Sequence, residues 1–185
     1  MLISVLKIYF CNQKNTCQFF YTLSNIKTYL STLYINIMKT ILAIWNSGGK
    51  GKSSTLRDFA NLLIKTYTSH VPIFPIPVLI HATDDFTLVV EISGIIVGIE
   101  TKGDPKTNLK QRLLVLTDKF NCDIILCTTR TRGETVKAVD DVANTRGYQT
   151  IWTSTYQIGY TSLHDLANKS KAEHIMDLLH KLGLL

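Results

Sequence analysis

Residues 40–54 read TILAIWNSGGKGKSS: an apolar run from Thr40 to Trp45 goes straight into Asn46 and a loop that holds Gly48, Gly49 and Gly51. A continuous apolar run of strand length, bounded by glycines, predicts a strand buried on both faces that empties into a loop. Beyond the loop, Leu56, Phe59, Ala60 and Leu63 fall at i, i+3, i+4 and i+7, which predicts a helix over 53–67 with one buried stripe. Strand, glycine loop and helix in succession form the unit from which parallel α/β sheets are built.

The rest of the chain continues that alternation. Pro72, Pro75 and Pro77 make 72–77 an extended connector, because proline fixes φ and has no amide to donate. Two strands over 86–92 and 95–101 meet at Ser93-Gly94, a tight-turn dipeptide that predicts a hairpin and therefore an antiparallel pair. Leu109, Leu113, Leu116 and Phe120 then mark a helix, with Asp104 as its N-cap and Pro105 at its first position. DIILCTT at 123–129 reads as another buried strand, with Cys122 and Cys127 on opposite faces. Thr131 with Glu134 three residues on is a capping box for a helix through Val136, Val139 and Ala143 that stops at Gly147. A short strand over 150–153 and a closing helix over 162–182 end the chain. The predicted fold is α/β: a mostly parallel, doubly wound sheet of about five strands with one antiparallel hairpin strand.

Composition limits the function classes. The 185 residues are 45% hydrophobic and 18% charged, a globular composition, and no stretch approaches the ~18–20 apolar residues of a membrane span. Four cysteines without a CxxC pair, and five histidines without metal spacing, exclude a disulfide scaffold and a zinc module; a cytoplasmic protein is expected. The net charge of +6 divides evenly: residues 1–37 carry Lys7, Lys14 and Lys27 and no acid, and residues 38–185 carry 17 basic against 14 acidic residues. That balance is too mild for a nucleic-acid signal. Residues 1–37 contain no Gly, Ala, Pro, Asp, Glu, Arg, His or Trp, and Phe, Tyr, Met, Ile, Asn and Lys make up 20 of the 37, the composition of translated AT-rich DNA. The expectation is a non-native or disordered extension with Met38 as initiator, leaving 38–185 as one domain.

The loop NSGGKGKSS, 46–54, matches the phosphate-loop template G-x-x-x-x-G-K-S/T at Gly51, Lys52 and Ser53, with Asn46 in place of the first glycine. On these residues, and on the strand before and helix after them, the chain resembles the P-loop NTPase superfamily. The resemblance implies a three-layer sandwich of the P-loop type and a polyphosphate held by the loop Ser47, Gly48, Gly49, Lys50, Gly51, Lys52, Ser53 and Ser54. Lys52 would reach the β and γ phosphates, and Ser53 would give its hydroxyl to Mg²⁺. The form SGGKGKSS is also similar to the partition-ATPase loop K-G-G-x-G-K-S/T-S/T, but Ser47 stands where that class has a lysine, so dimer-coupled hydrolysis does not carry over.

The superfamily needs a second acid. IIVGIETKGD, 95–104, resembles the D-x-x-G of small GTPases with Glu100 for the Asp and Gly103 for the Gly, and the element order is similar. This makes Glu100 the expected metal and catalytic acid. Asp104 is its rival as metal ligand and also reads as the helix cap, while Asp84 and Asp85 read as a solvated turn, although they lie in the connector that in GTPase-like folds faces the phosphates. The guanine-reading N-K-x-D is missing after both later strands, so ATP is expected rather than GTP. Arg130 and Arg132 follow a strand at its carboxyl end, where doubly wound sheets bind ligands, and are candidates to contact a γ-phosphate or an acidic substrate. The expected partners are a nucleoside triphosphate and a protein partner or second copy of the chain, with no membrane span. Three functions fit: a nucleotide switch or ATPase, a small-molecule phosphotransferase, and a binding module without turnover.

Overall fold

The computed structural model describes residues 38–185; the expectation of a non-native extension over 1–37 lies outside the described residues. The elements are β1 (Thr40–Trp45), α1 (Lys52–Thr66), β2 (Val71–Phe74), β3 (Thr87–Ile92), β4 (Ile95–Glu100), α2 (Leu109–Leu114), β5 (Ile124–Thr129), α3 (Glu134–Arg146), β6 (Gln149–Ser154) and α4 (His164–Lys181). A π-helical turn, Val115–Lys119, extends α2, and a 3₁₀ turn, Thr161–Leu163, leads into α4. The fold is α/β, as the alternation of elements predicts.

One six-stranded sheet runs in the order β2-β3-β4-β5-β1-β6. β1 pairs in parallel with β5 and β6, and β4 pairs in parallel with β5, while β3 is antiparallel to both β4 and β2. β3 is therefore the single reversed strand, and its turn into β4 is the predicted one: Ser93 and Gly94 have φ +53 and +87, the left-handed pair that a two-residue hairpin requires. The sheet has a sixth strand beyond the expected five. The proline-bearing stretch read as a connector forms edge strand β2, with Pro72 opposite Val90 and a register shift before Phe74. An edge strand offers only one side to a neighbour, so a missing amide is tolerated there.

Alternate residues of the central strands feed two cores. Leu42 and Ile44 of β1, with Ile124 and Leu126 of β5, meet Leu56, Phe59 and Leu63 of α1 and Ile175 and Leu179 of α4 on one face. Ile41 and Ala43, with Ile125 and Cys127, meet Leu113 of α2 and Val139 and Val142 of α3 on the other. Helices cover both faces, which is why β1 and β5 are apolar at nearly every position. Among the described residues no helix is long and apolar enough to cross a membrane.

Two predicted helix starts shift. Asp104 does not cap α2, which begins at Leu109 behind Asn108, a residue at φ +59. Thr107 donates to the Asp104 carbonyl at 2.5 Å, so Asp104 and Pro105 belong to a separate turn. The capping box at Thr131 does not form either, since α3 starts at Glu134 behind Gly133. The Glu134 carboxylate accepts instead from the Lys106 amide at 2.7 Å, bridging the loop 101–108 to the start of α3. Gly147 ends α3 in the left-handed conformation, as read from the sequence.

Candidate functional site

β1 delivers the glycine loop to the carboxyl edge of the sheet, and Asn46 fixes its entry. The Asn46 Oδ1 accepts from the Ser47 amide at 2.8 Å, and its Nδ2 donates to Thr155 Oγ1 at 2.9 Å, tying the loop to the chain that leaves β6. Gly49 and Gly51 lie at φ +66 and +75 on either side of Lys50. Left-handed residues in alternation turn successive amides toward one concavity. Helix α1 begins at once, with the Thr55 amide bonded to the Gly51 carbonyl at 2.8 Å. The amides from Gly48 through Ser54 have no hydrogen-bond acceptor among the described residues. A helix N-terminus and a run of unpaired donors therefore coincide, and both favour an anion.

Gly49 through Ser54 form one wall of a cavity of about 190 Å³ whose other wall includes Asp85, Thr101, Gly103, Asp104 and Thr128. Lys52 is 7% exposed and bends back onto its own loop, donating to the Ser47 carbonyl at 2.8 Å. Burial, and then the nearby Arg130 cation, hold the Lys52 ammonium below the ordinary lysine value, with Asp104 opposing them. The Ser53 hydroxyl lies 3.2 Å from Asp85 Oδ1 and 3.2 Å from the Thr101 carbonyl, and its single proton serves one of them at a time.

Arg130 reaches the loop from the end of β5. Its guanidinium lies against Gly48 so closely that a Cβ there would overlap Nη1, and Nη2 pairs with Asp104 Oδ1 at 2.9 Å. Arg132 is exposed and forms no ion pair among the described residues. Gly103 is held against β5, where a Cβ would fall on the Thr128 carbonyl oxygen.

Glu100 is not in the cavity. It ends β4 with 1% exposure, on the face opposite Ile99 and beside Cys127 of β5. Its Oε2 accepts from Thr87 Oγ1 at 2.8 Å, and Oε1 accepts from the Lys102 amide at 2.9 Å and meets Arg112 Nε at 3.2 Å. Burial raises the Glu100 carboxyl above its ordinary value, while those hydrogen bonds and Arg112 pull the other way. Arg112 also donates to the Thr107 and Lys102 carbonyls, so the pair shapes the loop 101–108 from below. The acids at the cavity are Asp85 and Asp104.

A second cavity, about 300 Å³, adjoins the same loop at Gly49–Gly51 and Ser54 and is walled by Tyr156, Ile158, His164 and Asn168. Asn168 of α4 packs on Gly51, and its Oδ1 accepts from Thr55 Oγ1 at 3.4 Å. Sequence reasoning missed this wall: no motif marks it, and the one available signal is its place beyond the carboxyl end of the last strand.

Ser53 Oγ and the carboxylates of Asp85 and Asp104 are hard oxygen donors. Among the described residues no group of three or more His, Cys, Asp or Glu could hold a metal unaided. Such a partial set suits Mg²⁺, which binds through one or two carboxylates and takes its other ligands from water and substrate phosphates. Comparison with known proteins finds no match, whether to family models, curated sequences or solved structures.

Proposed function

We propose that this chain is a small P-loop-type NTPase that binds a magnesium–nucleoside triphosphate, ATP in preference to GTP, and hydrolyses it. The observation that carries the reading is the run of acceptor-free amides from Gly48 to Ser54 at the start of α1, with the Lys52 ammonium folded among them. The triphosphate lies in the smaller cavity and the nucleoside in the larger one, beside Tyr156 and Ile158.

The amides, Lys52 and Arg130 hold the phosphate oxygens, and their charges and dipoles face the group on which negative charge spreads during transfer. Lys52 is poised for this because its present partner is a neutral carbonyl, which a phosphate oxygen replaces with a stronger, charge-assisted bond. When bound, Mg²⁺ would neutralise phosphate charge; Ser53 with Asp85 and Asp104 would hold it. Asp85 and Asp104 also supply the carboxylates at the cavity able to orient a water. Glu100, with both oxygens engaged, supports the loop that carries Asp104.

Binding and phosphate release, measured on the protein and on Lys52→Ala, test the reading. Loss of a charge-assisted phosphate contact lowers affinity by about tenfold or more. Wild-type protein that binds neither ATP nor GTP in the presence of Mg²⁺ would overturn it.

A further inference from the structure

We propose that Arg57 is a positioning residue: its guanidinium fastens the connector between β2 and β3 to α1 and thereby holds Asp85 at the cavity. The role in turnover rests on the nucleotide reading above. Residues 75–85 are exposed at most positions, and among the described residues none of their amides or carbonyls bonds to other main chain. Their polar ties come from the side chains of α1. Arg57 Nε donates to the His81 carbonyl at 2.6 Å, and Nη2 donates to the carbonyls of Thr83 and Asp84 at 3.0 and 3.1 Å. Ser53, one helical turn earlier on the same face of α1, meets Asp85 Oδ1 at 3.2 Å. Downstream, Phe86 is buried; its amide donates to Thr101 Oγ1 at 2.7 Å and its carbonyl accepts from the Thr101 amide at 3.1 Å. Asp85 thus lies between two anchors, the Phe86–Thr101 bonds on one side and Arg57 on the other.

The residue type follows from the acceptors. Three carbonyls of one exposed bend converge on a single side chain, and a guanidinium meets them with several N–H donors in a rigid fork, which the compact ammonium of a lysine does not reproduce. Arg57 forms no ion pair among the described residues and lines neither cavity, so its side chain is committed to the connector and reaches the site only through Asp85. Without it Asp85 keeps its carboxylate and loses its upstream anchor. The Ser53 hydroxyl does not replace that anchor, because its one proton is shared between Asp85 and the Thr101 carbonyl. A group at the reacting centre misplaced by about 1 Å costs up to about 10²-fold in rate. The loop amides, Lys52 and Arg130 lie on other segments and keep their places.

Two measurements on wild type, Arg57→Ala, Arg57→Lys, Asp85→Asn and Arg57→Ala/Asp85→Asn test this. The first uses the nucleotide-free protein and a protease that cuts on the amino side of aspartate. Cleavage ahead of Asp84 should be about fivefold faster or more in Arg57→Ala than in wild type, since even one lost hydrogen bond shifts a local opening by that factor. The second is ATP turnover. Asp85→Asn should lower kcat by about tenfold or more and Arg57→Ala by about tenfold, with the affinity for ATP in excess chelator kept within about threefold. Arg57→Lys, which keeps the charge and loses the fork, should show the same split at smaller size. The double variant should turn over within about twofold of Asp85→Asn alone, because Arg57 acts through that carboxylate. Losses that multiply in the double variant, unchanged turnover in Asp85→Asn, or wild-type cleavage in both single Arg57 variants overturn the inference and leave the nucleotide reading standing. A wild type that neither binds nor hydrolyses ATP overturns both.

Discussion

A methyl group at position 103 is the sharpest probe of how the site loop is held. A Cβ on Gly103 would fall on the Thr128 carbonyl oxygen and on its hydroxyl. Neither can yield cheaply, since the carbonyl belongs to the main chain of β5 and the hydroxyl donates to the Thr101 carbonyl at 2.6 Å. Gly103 has no positive φ, so the position demands space and not a special backbone conformation. Overpacking of this kind costs about 1–3 kcal/mol, and in a domain of this size each kcal/mol lowers Tm by about 2–4 °C, so Gly103→Ala should melt roughly 2–12 °C lower. The relief open to the chain is to lift the loop 101–108 from β5, which draws Asp104 away from Arg130 and the Lys106 amide away from Glu134. Loss of stability should therefore come with weaker binding of the magnesium complex. Circular dichroism melts of Gly103→Ala and Gly159→Ala measure it, the latter being a glycine with an unremarkable φ and nothing within 4 Å of an added Cβ. Equal melting temperatures for the two variants would refute the close approach.

Three more outcomes follow from the buried ionisable groups. Because burial raises the folded-state value of Glu100, the unfolded chain releases that proton first, and stability declines as pH rises from the ordinary carboxylate range through the raised value. Glu100→Gln should flatten that part of a Tm–pH curve while keeping nucleotide affinity within a fewfold of wild type. Lys52 is depressed below its ordinary 10.5, and phosphate binding favours its charged form, so ATP affinity should fall as pH climbs through a value below 10.5; calorimetry across pH 7–10 reads it. Cys122 is pushed up to about 12 and Cys127 higher still, both by burial, so peptide mapping after maleimide treatment should find neither labelled in the folded protein and both labelled in denaturant.

What the sequence disclosed was whatever depends on local pattern. The strand β1, the helix α1 and the Ser93-Gly94 turn follow from periodicity and from the residue types a tight hairpin admits. The two misplaced helix caps share one cause: polar residues near the site were read with partners close in sequence and have partners across the fold. Asp104 beside Pro105 has the chemistry of a cap, and its carboxylate is taken by Arg130, twenty-six positions on. Glu134 has the chemistry of a capping box, and its carboxylate is taken by the Lys106 amide. Prolines hid β2 because the rule that bars them from a strand interior is relaxed at an edge, and edge position is a property of the sheet.

Glu100 is the instructive case, because the alternation of β4 already contained the answer. Val97 and Ile99 point into the core under α1 and α4, so Glu100 faces the other way, toward Cys127. The glycine loop opens into α1, on the face of Ile99, and an acid serving that loop must come from the chain beyond the strand end or from another segment. Asp104 arrives by the first route, four residues past the end of β4, and Asp85 by the second, from the connector just ahead of β3. With its side chain sealed on the opposite face, Glu100 is left to couple Thr87, the Lys102 amide and Arg112, and through them to set the path of the segment that presents Asp104. The pleat of one strand thus separates the residue that supports the loop from the residue that faces the cavity, although the two are four positions apart in the chain.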